Sequence, residues 1–134
     1  MKKKLLILCT GNSCRSIIAE ALINAKLGDC IEAQSSGVKA IGSVNSDAKA
    51  LLQKKGYWRE EYHSKVIDSV LDTHFDLVVT VCNHAKETCP MFPKAVKTLH
   101  ISFDDPSGKV LQEYEKTLNL IEKELLPVVK KELC

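Results

Sequence analysis

The chain has 134 residues, 45% hydrophobic and 27% charged, which suits one globular domain and excludes a disordered, collagen-like or coiled-coil chain. The 19 Lys and Arg against 17 Asp and Glu leave a net charge of only +2, which argues against nucleic acid as the main partner. No apolar run approaches the ~18 residues of a membrane span, and Leu5 to Cys9 is too short for a signal-peptide core of ~7–15 residues, so the expectation is one cytoplasmic domain over residues 1–134.

The elements follow in chain order. Lys4 to Cys9 (KLLILC) reads as a buried strand. Thr10 to Arg15, with Gly, Asn and Ser, reads as a loop. From Ser16, apolar residues at Ile17, Ile18, Ala21, Leu22 and Ala25 make a helical stripe, with Gly28 as its stop. Ile31 to Ser36 is a weaker second strand. Asn45 to Lys55 is a helix ended by Gly56. The polar, aromatic stretch Tyr57 to Ser64 reads as irregular, and Asp68 to Asp72 as a short helix. Phe75 to Cys82 is a third buried strand and Val96 to Ser102 a fourth, followed by a turn-rich loop from Phe103 to Gly108. Leu111, Tyr114, Leu118, Ile121, Leu125 and Val128 mark a last helix, which Pro127 should kink or divide. Strands alternating with helices mean an α/β domain with a parallel sheet. In such a sheet the ligand sits beyond the carboxyl ends of the strands. Cys9 to Ser16, Cys82 to Cys89 and Ser102 to Gly108 all fall there.

Six cysteines stand at 9, 14, 30, 82, 89 and 134. A disulfide scaffold is opposed by the missing export signal and by the regular core pattern. Zinc is disfavoured because no pair has C-x2-4-C spacing, and no two of the four histidines have metal spacing, so no metal is expected. Cys30 and Cys134 belong to no constellation, and Cys14 is expected to pack inside its loop.

Cys9-Thr10-Gly11-Asn12-Ser13-Cys14-Arg15-Ser16 is C-x5-R-S between a strand and a helix. Such a loop points backbone N–H groups inward and makes an anion cradle. Gly11 and Asn12 tolerate the backbone angles this needs. Arg15 can fork two N–H groups onto a tetrahedral oxyanion. The same field favours a Cys9 thiolate, to which Ser16 can donate its hydroxyl. The result is a nucleophile aimed at a bound oxyanion. The bland alternative is a strand-turn-helix junction with two buried cysteines.

An expelled oxygen needs a proton. Asp105, fixed by Pro106, is the better donor, and Asp104 is expected to cap the turn; on its own, DDPSG would be a turn and nothing more. Cys82 and Cys89 add a redox possibility, because two electrons can leave as a disulfide. Were residues 82–89 helical, the two Cα atoms would lie ~10 Å apart, whereas a disulfide tolerates ~4.4–6.8 Å. A Cys82–Cys89 bond therefore requires that segment to rearrange. The alternative is a buried core thiol and an incidental surface one.

CTGNSCRS at 9–16, VTVCNHAKETCP around Cys82 and Cys89, and FDDPSGK at 103–109 resemble the thioredoxin-coupled arsenate reductases, built on the low-molecular-weight tyrosine phosphatase fold. The resemblance implies a three-layer α/β fold with a four-stranded parallel sheet of order 2-1-3-4 flanked by helices. It implies that Cys9 attacks arsenate held by Arg15 and by the loop residues Thr10, Gly11, Asn12, Ser13, Cys14 and Ser16, while Asp105 protonates the departing oxygen. Cys82 would then attack the Cys9–arsenic adduct, release arsenite and form Cys9–Cys82. Cys89 would attack Cys82 in turn, leaving a Cys82–Cys89 disulfide for reduced thioredoxin, the electron donor; no bound cofactor is implied. Asn12 would hold the loop by hydrogen bonds. A monomer is expected.

Two departures matter. Some members bind potassium near this loop through Asn, Glu, Ser and Asp; Asn12, Glu20 and Ser35 fit three of these, and HSKVID puts Lys65 at the fourth. An ammonium there replaces the metal's charge, so no potassium dependence is expected. Ile101-Ser102 also stands before FDDP where members often carry Trp-Gly. The competing enzyme is a low-molecular-weight phosphotyrosine or aryl phosphatase, using the same Cys9, Arg15 and Asp105. It resembles Asp-Pro followed closely by aromatics, whereas here Ser107-Gly108-Lys109 follows, and Cys82 and Cys89 would have no task. A sugar-transport phosphocarrier needs no Arg15, and an oxyanion sensor without turnover needs no Asp105.

Overall fold

Lys3–Cys9 forms β1, and its last five residues are buried, as befits a central parallel strand covered on both faces. The computed structural model describes residues 2–82 and 92–134. On one side β1 pairs in parallel with β2 (Ile31–Gly37), from Lys3 opposite Ile31 to Cys9 opposite Gly37. On its other side it pairs with β3 (Leu77–Thr80), which in turn pairs with β4 (Thr98–His100). The sheet is four-stranded, parallel, in the order β2-β1-β3-β4. The first crossover leaves β1 toward β2 and the next returns to β3, so the gap beyond the ends of β1 and β3 is the topological switch point.

Side chains alternate across the sheet. Leu5, Ile7 and Cys9 join a large core with α1 (Arg15–Lys26), α2 (Ser46–Lys55), α3 (Leu111–Glu124) and α4 (Leu126–Leu133). Leu6 and Leu8 face the other way, into a smaller cluster with Val70, Phe75 and Val78, to which Ile67, Phe92 and Val96 add partial cover. A 3-10 helix, Ile67–Val70, lies on that second face, slightly earlier in the chain than the helix expected over Asp68 to Asp72.

Several boundaries differ from the sequence pattern for physical reasons. β3 is shorter than its apolar run, because burial continues past the strand: Val81 and Cys82 are fully buried beyond Thr80; β4 is confined to Thr98–His100. Cys82 thus follows the strand rather than ending it. Gly28 does not close α1 in a left-handed turn. It is required because a Cβ there would stand 2.3 Å from the Asn24 carbonyl oxygen. Gly56 does adopt the left-handed cap of α2, with φ of 80°. Asn45 caps the other end of α2 by accepting from the Asp47 and Ala48 N–H groups. Pro127 divides the last helix: α3 ends at Glu124 and α4 begins at Leu126, with proline in the first turn, where its missing N–H costs nothing.

Candidate active site

The turn from β1 into α1 is built around Asn12. It is fully buried and has φ of 49°, the one non-glycine residue with positive φ among the described residues. Asparagine tolerates this conformation better than most residues, and here its side chain secures it. Nδ2 donates to Ser16 Oγ at 2.8 Å and to Ser35 Oγ at 2.9 Å. Oδ1 accepts from the Lys65 backbone N–H at 2.8 Å. The loop carbonyls are tied outward as well. Thr10 O accepts from Lys39 N–H, Gly11 O from Ile41 N–H, and Ser13 O from Asn45 N–H. A loop whose carbonyls turn away presents its amides to the opposite side. That side is the mouth of α1, which the Cys14 side chain does not cap. Close approach to β2 needs Gly37, since a Cβ there would lie 2.5 Å from Thr10 O.

The cleft over this loop encloses about 290 Å3 and is lined by Cys9 to Arg15, Lys39, Ile41, Asp105 and Ser107. Cys9, at the end of β1, is a thiol outside any disulfide and only 3% exposed. The Arg15 guanidinium is buried; NH1 donates to the Phe103 carbonyl at 3.1 Å, and NH2 stands 3.9 Å from Asp105 Oδ2. Asp105 is half-exposed, so the pair is weak and the carboxyl keeps access to the cleft. Its Oδ1 accepts the Ser107 N–H at 3.0 Å, which fixes the acid by its own turn. The structure thus gathers Cys9, the loop, Arg15 and Asp105 around one space, as the sequence pattern predicts. Ser16 lies beneath the loop, where it accepts from Asn12.

Cys14 is the other cysteine outside a disulfide among the described residues. Burial, and next the negative charge of Asp105, push its pKa from 9.0 up to about 12, so it stays a protonated thiol and packs, as expected. Cys82 is fully buried and disulfide-bonded, and its carbonyl accepts from Ser102 Oγ at 3.4 Å. Cys89, like His84, lies outside the described residues. Ser102 Oγ is also 2.8 Å from His100 Nε2, whose Nδ1 is 2.6 Å from Thr80 Oγ1. The Ile101-Ser102 departure therefore places a hydroxyl against the Cys82 backbone.

Behind the loop, Ser35 Oγ donates to Glu20 Oε1 at 2.6 Å. Burial pushes the Glu20 pKa up to about 7, opposed first by the positive charge of Lys65 and then by Ser35 and His63. The Lys65 ammonium is thus the charge that most opposes the burial of Glu20. Tyr62 proves to be core: it is buried, accepts from Asn24 and packs edge-on against Trp58. Sequence reasoning missed Lys39, Ile41 and Ser107 on the rim. The signal for the first two was available, because they follow the carboxyl end of β2 at the same sheet edge as the loop.

The parallel α/β sheet thus carries a C-x5-R loop, with Cys9 and Arg15 lining one cleft, at its switch point. The low molecular weight phosphotyrosine protein phosphatase family model matches residues 4–133, and the chain belongs to that family. It is 42% identical over 115 residues to an arsenate reductase of Brevibacillus brevis, covering 86% of this chain and 85% of that one. The fold is similar to that of an arsenate reductase from Archaeoglobus fulgidus, with a TM-score of 0.83, 31% identity, and coverage of 94% and 98% of the two chains. It is also similar to a low molecular weight protein tyrosine phosphatase from T. tengcongensis, with a TM-score of 0.80, 28% identity, and coverage of 97% and 99%.

Proposed function

We propose that this protein is a cytoplasmic, monomeric, single-domain arsenate reductase working by a three-cysteine relay. The observation that carries the reading is the convergence of Cys9, buried Arg15 and half-exposed Asp105 on one cleft. Arg15 and the loop amides of Thr10 to Ser16 hold arsenate as they would phosphate. The Cys9 thiolate attacks arsenic, an As–O bond breaks, and Asp105 gives its proton to the departing oxygen. Cys82 then attacks the Cys9 sulfur. The S–As electron pair stays on arsenic, which leaves as arsenite, and a Cys9–Cys82 disulfide forms. Cys89 attacks Cys82 and frees Cys9. Reduced thioredoxin takes up the resulting Cys82–Cys89 disulfide and carries away the two oxidising equivalents as its own disulfide.

Three observations support this reading. Cys9 stands outside any disulfide while Cys82 is disulfide-bonded. Cys14 is too weak an acid to supply a thiolate at neutral pH. The relatives in sequence are named arsenate reductases. No bound cofactor takes part, and the Lys65 ammonium stands in for a monovalent cation beside Glu20. Among the described residues no helix is long and apolar enough to cross a membrane. Slow hydrolysis of small aryl phosphates is expected beside the main reaction, because the family and the T. tengcongensis structure are named as phosphatases and the cleft would accept either tetrahedral anion.

The test is arsenate-dependent NADPH consumption with thioredoxin and thioredoxin reductase. Wild type should turn over, while Cys9→Ser and Cys89→Ser should not. Aryl phosphate hydrolysis without arsenate turnover would make the protein a phosphatase.

A further inference from the structure

Cys30 and Cys134 have no part in the proposed relay, and no sequence pattern joins them. The structure pairs them as a disulfide across 104 positions, with Cα atoms 6.0 Å apart, inside the range a disulfide accepts. Their place in the fold separates them from the oxyanion loop. The Cys30 carbonyl accepts from Lys3 N–H, at the first residue of β1. Cys9 ends the same strand, seven residues long, which at ~3.3 Å per residue puts ~20 Å between the two edges. The folded chain cannot exchange disulfides between them.

We propose that Cys30 and Cys134 form a second, reversible redox site, a staple that a disulfide oxidant closes and a dithiol opens. Cys30 sits half-buried in the turn between α1 and β2. Cys134 is exposed, with its N–H on the Lys130 carbonyl at the end of α4. A disulfide on an exposed residue is placed for thiol–disulfide exchange. On closing, the two thiols lose two electrons and two protons, and the oxidant, a low-molecular-weight disulfide, is reduced to two thiols. On opening, a dithiol takes the disulfide's place and is itself oxidised. In a reducing compartment the pair rests as thiols and closes under oxidation.

The mechanical effect falls on α4. This helix is otherwise held by Leu126 and Val129 in the core and by the Lys97–Glu132 ion pair, whose exposed lysine makes it weak. The staple ties the end of α4 to the start of β2. It also closes a loop of most of the chain, the arrangement in which a cross-link most restricts the unfolded state.

The experiment exposes native protein to excess oxidised glutathione, blocks free thiols and digests without reduction. The expected product joins tryptic peptide 27–39 to 132–134. Oxidised wild type should melt about 10 °C above oxidised Cys134→Ser, and Cys30→Ser should match that variant. Both variants keep the Cys82 sulfur, so the gap reports the staple alone. A native dithiol should abolish the joined peptide and the gap together. Glutathione adducts in place of the joined peptide would overturn the proposal. So would a link that resists the dithiol, or melting temperatures that do not differ.

Discussion

Replacing Glu20 with Gln should leave relative stability constant in acid and raise it at alkaline pH. Glu20 is 4% exposed and accepts a hydrogen bond from Ser35. Burial raises its pKa from 4.5 to about 7, after the opposing pull of Lys65, Ser35 and His63. Below the lower value the carboxyl is protonated in folded and unfolded chains alike. Between the two values the folded chain holds a proton that the unfolded chain has released, so stability falls as pH rises. Above about 7 the whole penalty is present. At about 1.4 kcal/mol per pH unit it amounts to about 3 kcal/mol. Glutamine keeps an oxygen for Ser35 but has no charge to desolvate. The variant's stability relative to wild type should therefore climb by about 3 kcal/mol from about pH 4.5 to about pH 8. With an unfolding entropy of about 0.3 kcal/mol/K for a chain this long, that is about 10 °C in Tm. Thermal denaturation of both proteins across this range measures it. A difference independent of pH, or one that falls as pH rises, would refute the reasoning.

Asn12→Ala should lose about 3 kcal/mol in denaturant unfolding, because it strips partners from Ser16, Ser35 and the Lys65 N–H and leaves alanine at positive φ; Asn12→Gly should lose less, since glycine removes the backbone part. Cys14→Ser should retain arsenate turnover within about threefold, and iodoacetamide at neutral pH should label Cys9 well before Cys14, whose thiol ionises only near 12; alkylation mapped by mass spectrometry decides. Potassium chloride and sodium chloride at equal ionic strength should give the same Tm and the same turnover, because Lys65 supplies the positive charge beside Glu20; a Tm raised by potassium alone would contradict that role.

The oxyanion loop was legible because its signal is local. An apolar run, then Gly and Asn, then Arg-Ser opening an apolar helical stripe can close in few other ways, and Asn12 takes the positive φ that the pattern requires. Pro127 was equally plain, since it cannot sit inside a helix without removing a bond. The ends of β3 and β4 were not legible. Apolar residues mark burial, and Val81 and Cys82 are buried beyond Thr80, where β3 ends. Gly28 looked like a left-handed cap, but the constraint is the nearby Asn24 carbonyl, which no sequence shows. Lys39 and Ile41, by contrast, follow the carboxyl end of β2, so a parallel β2 beside β1 already implies their place on the cleft. The Cys30–Cys134 pairing is the extreme case: 104 positions separate residues that share no motif, and only the return of α4 to the start of β2 brings them together.

The most direct test of the account is a single turnover without thioredoxin. Fully reduced protein is mixed with excess arsenate, arsenite is counted, and the disulfides are mapped. The account predicts one arsenite per wild-type chain and a Cys82–Cys89 disulfide. Cys89→Ser should also release one arsenite and stop at Cys9–Cys82, and Cys9→Ser should release none. Arsenite from Cys9→Ser, or none from wild type, would contradict it.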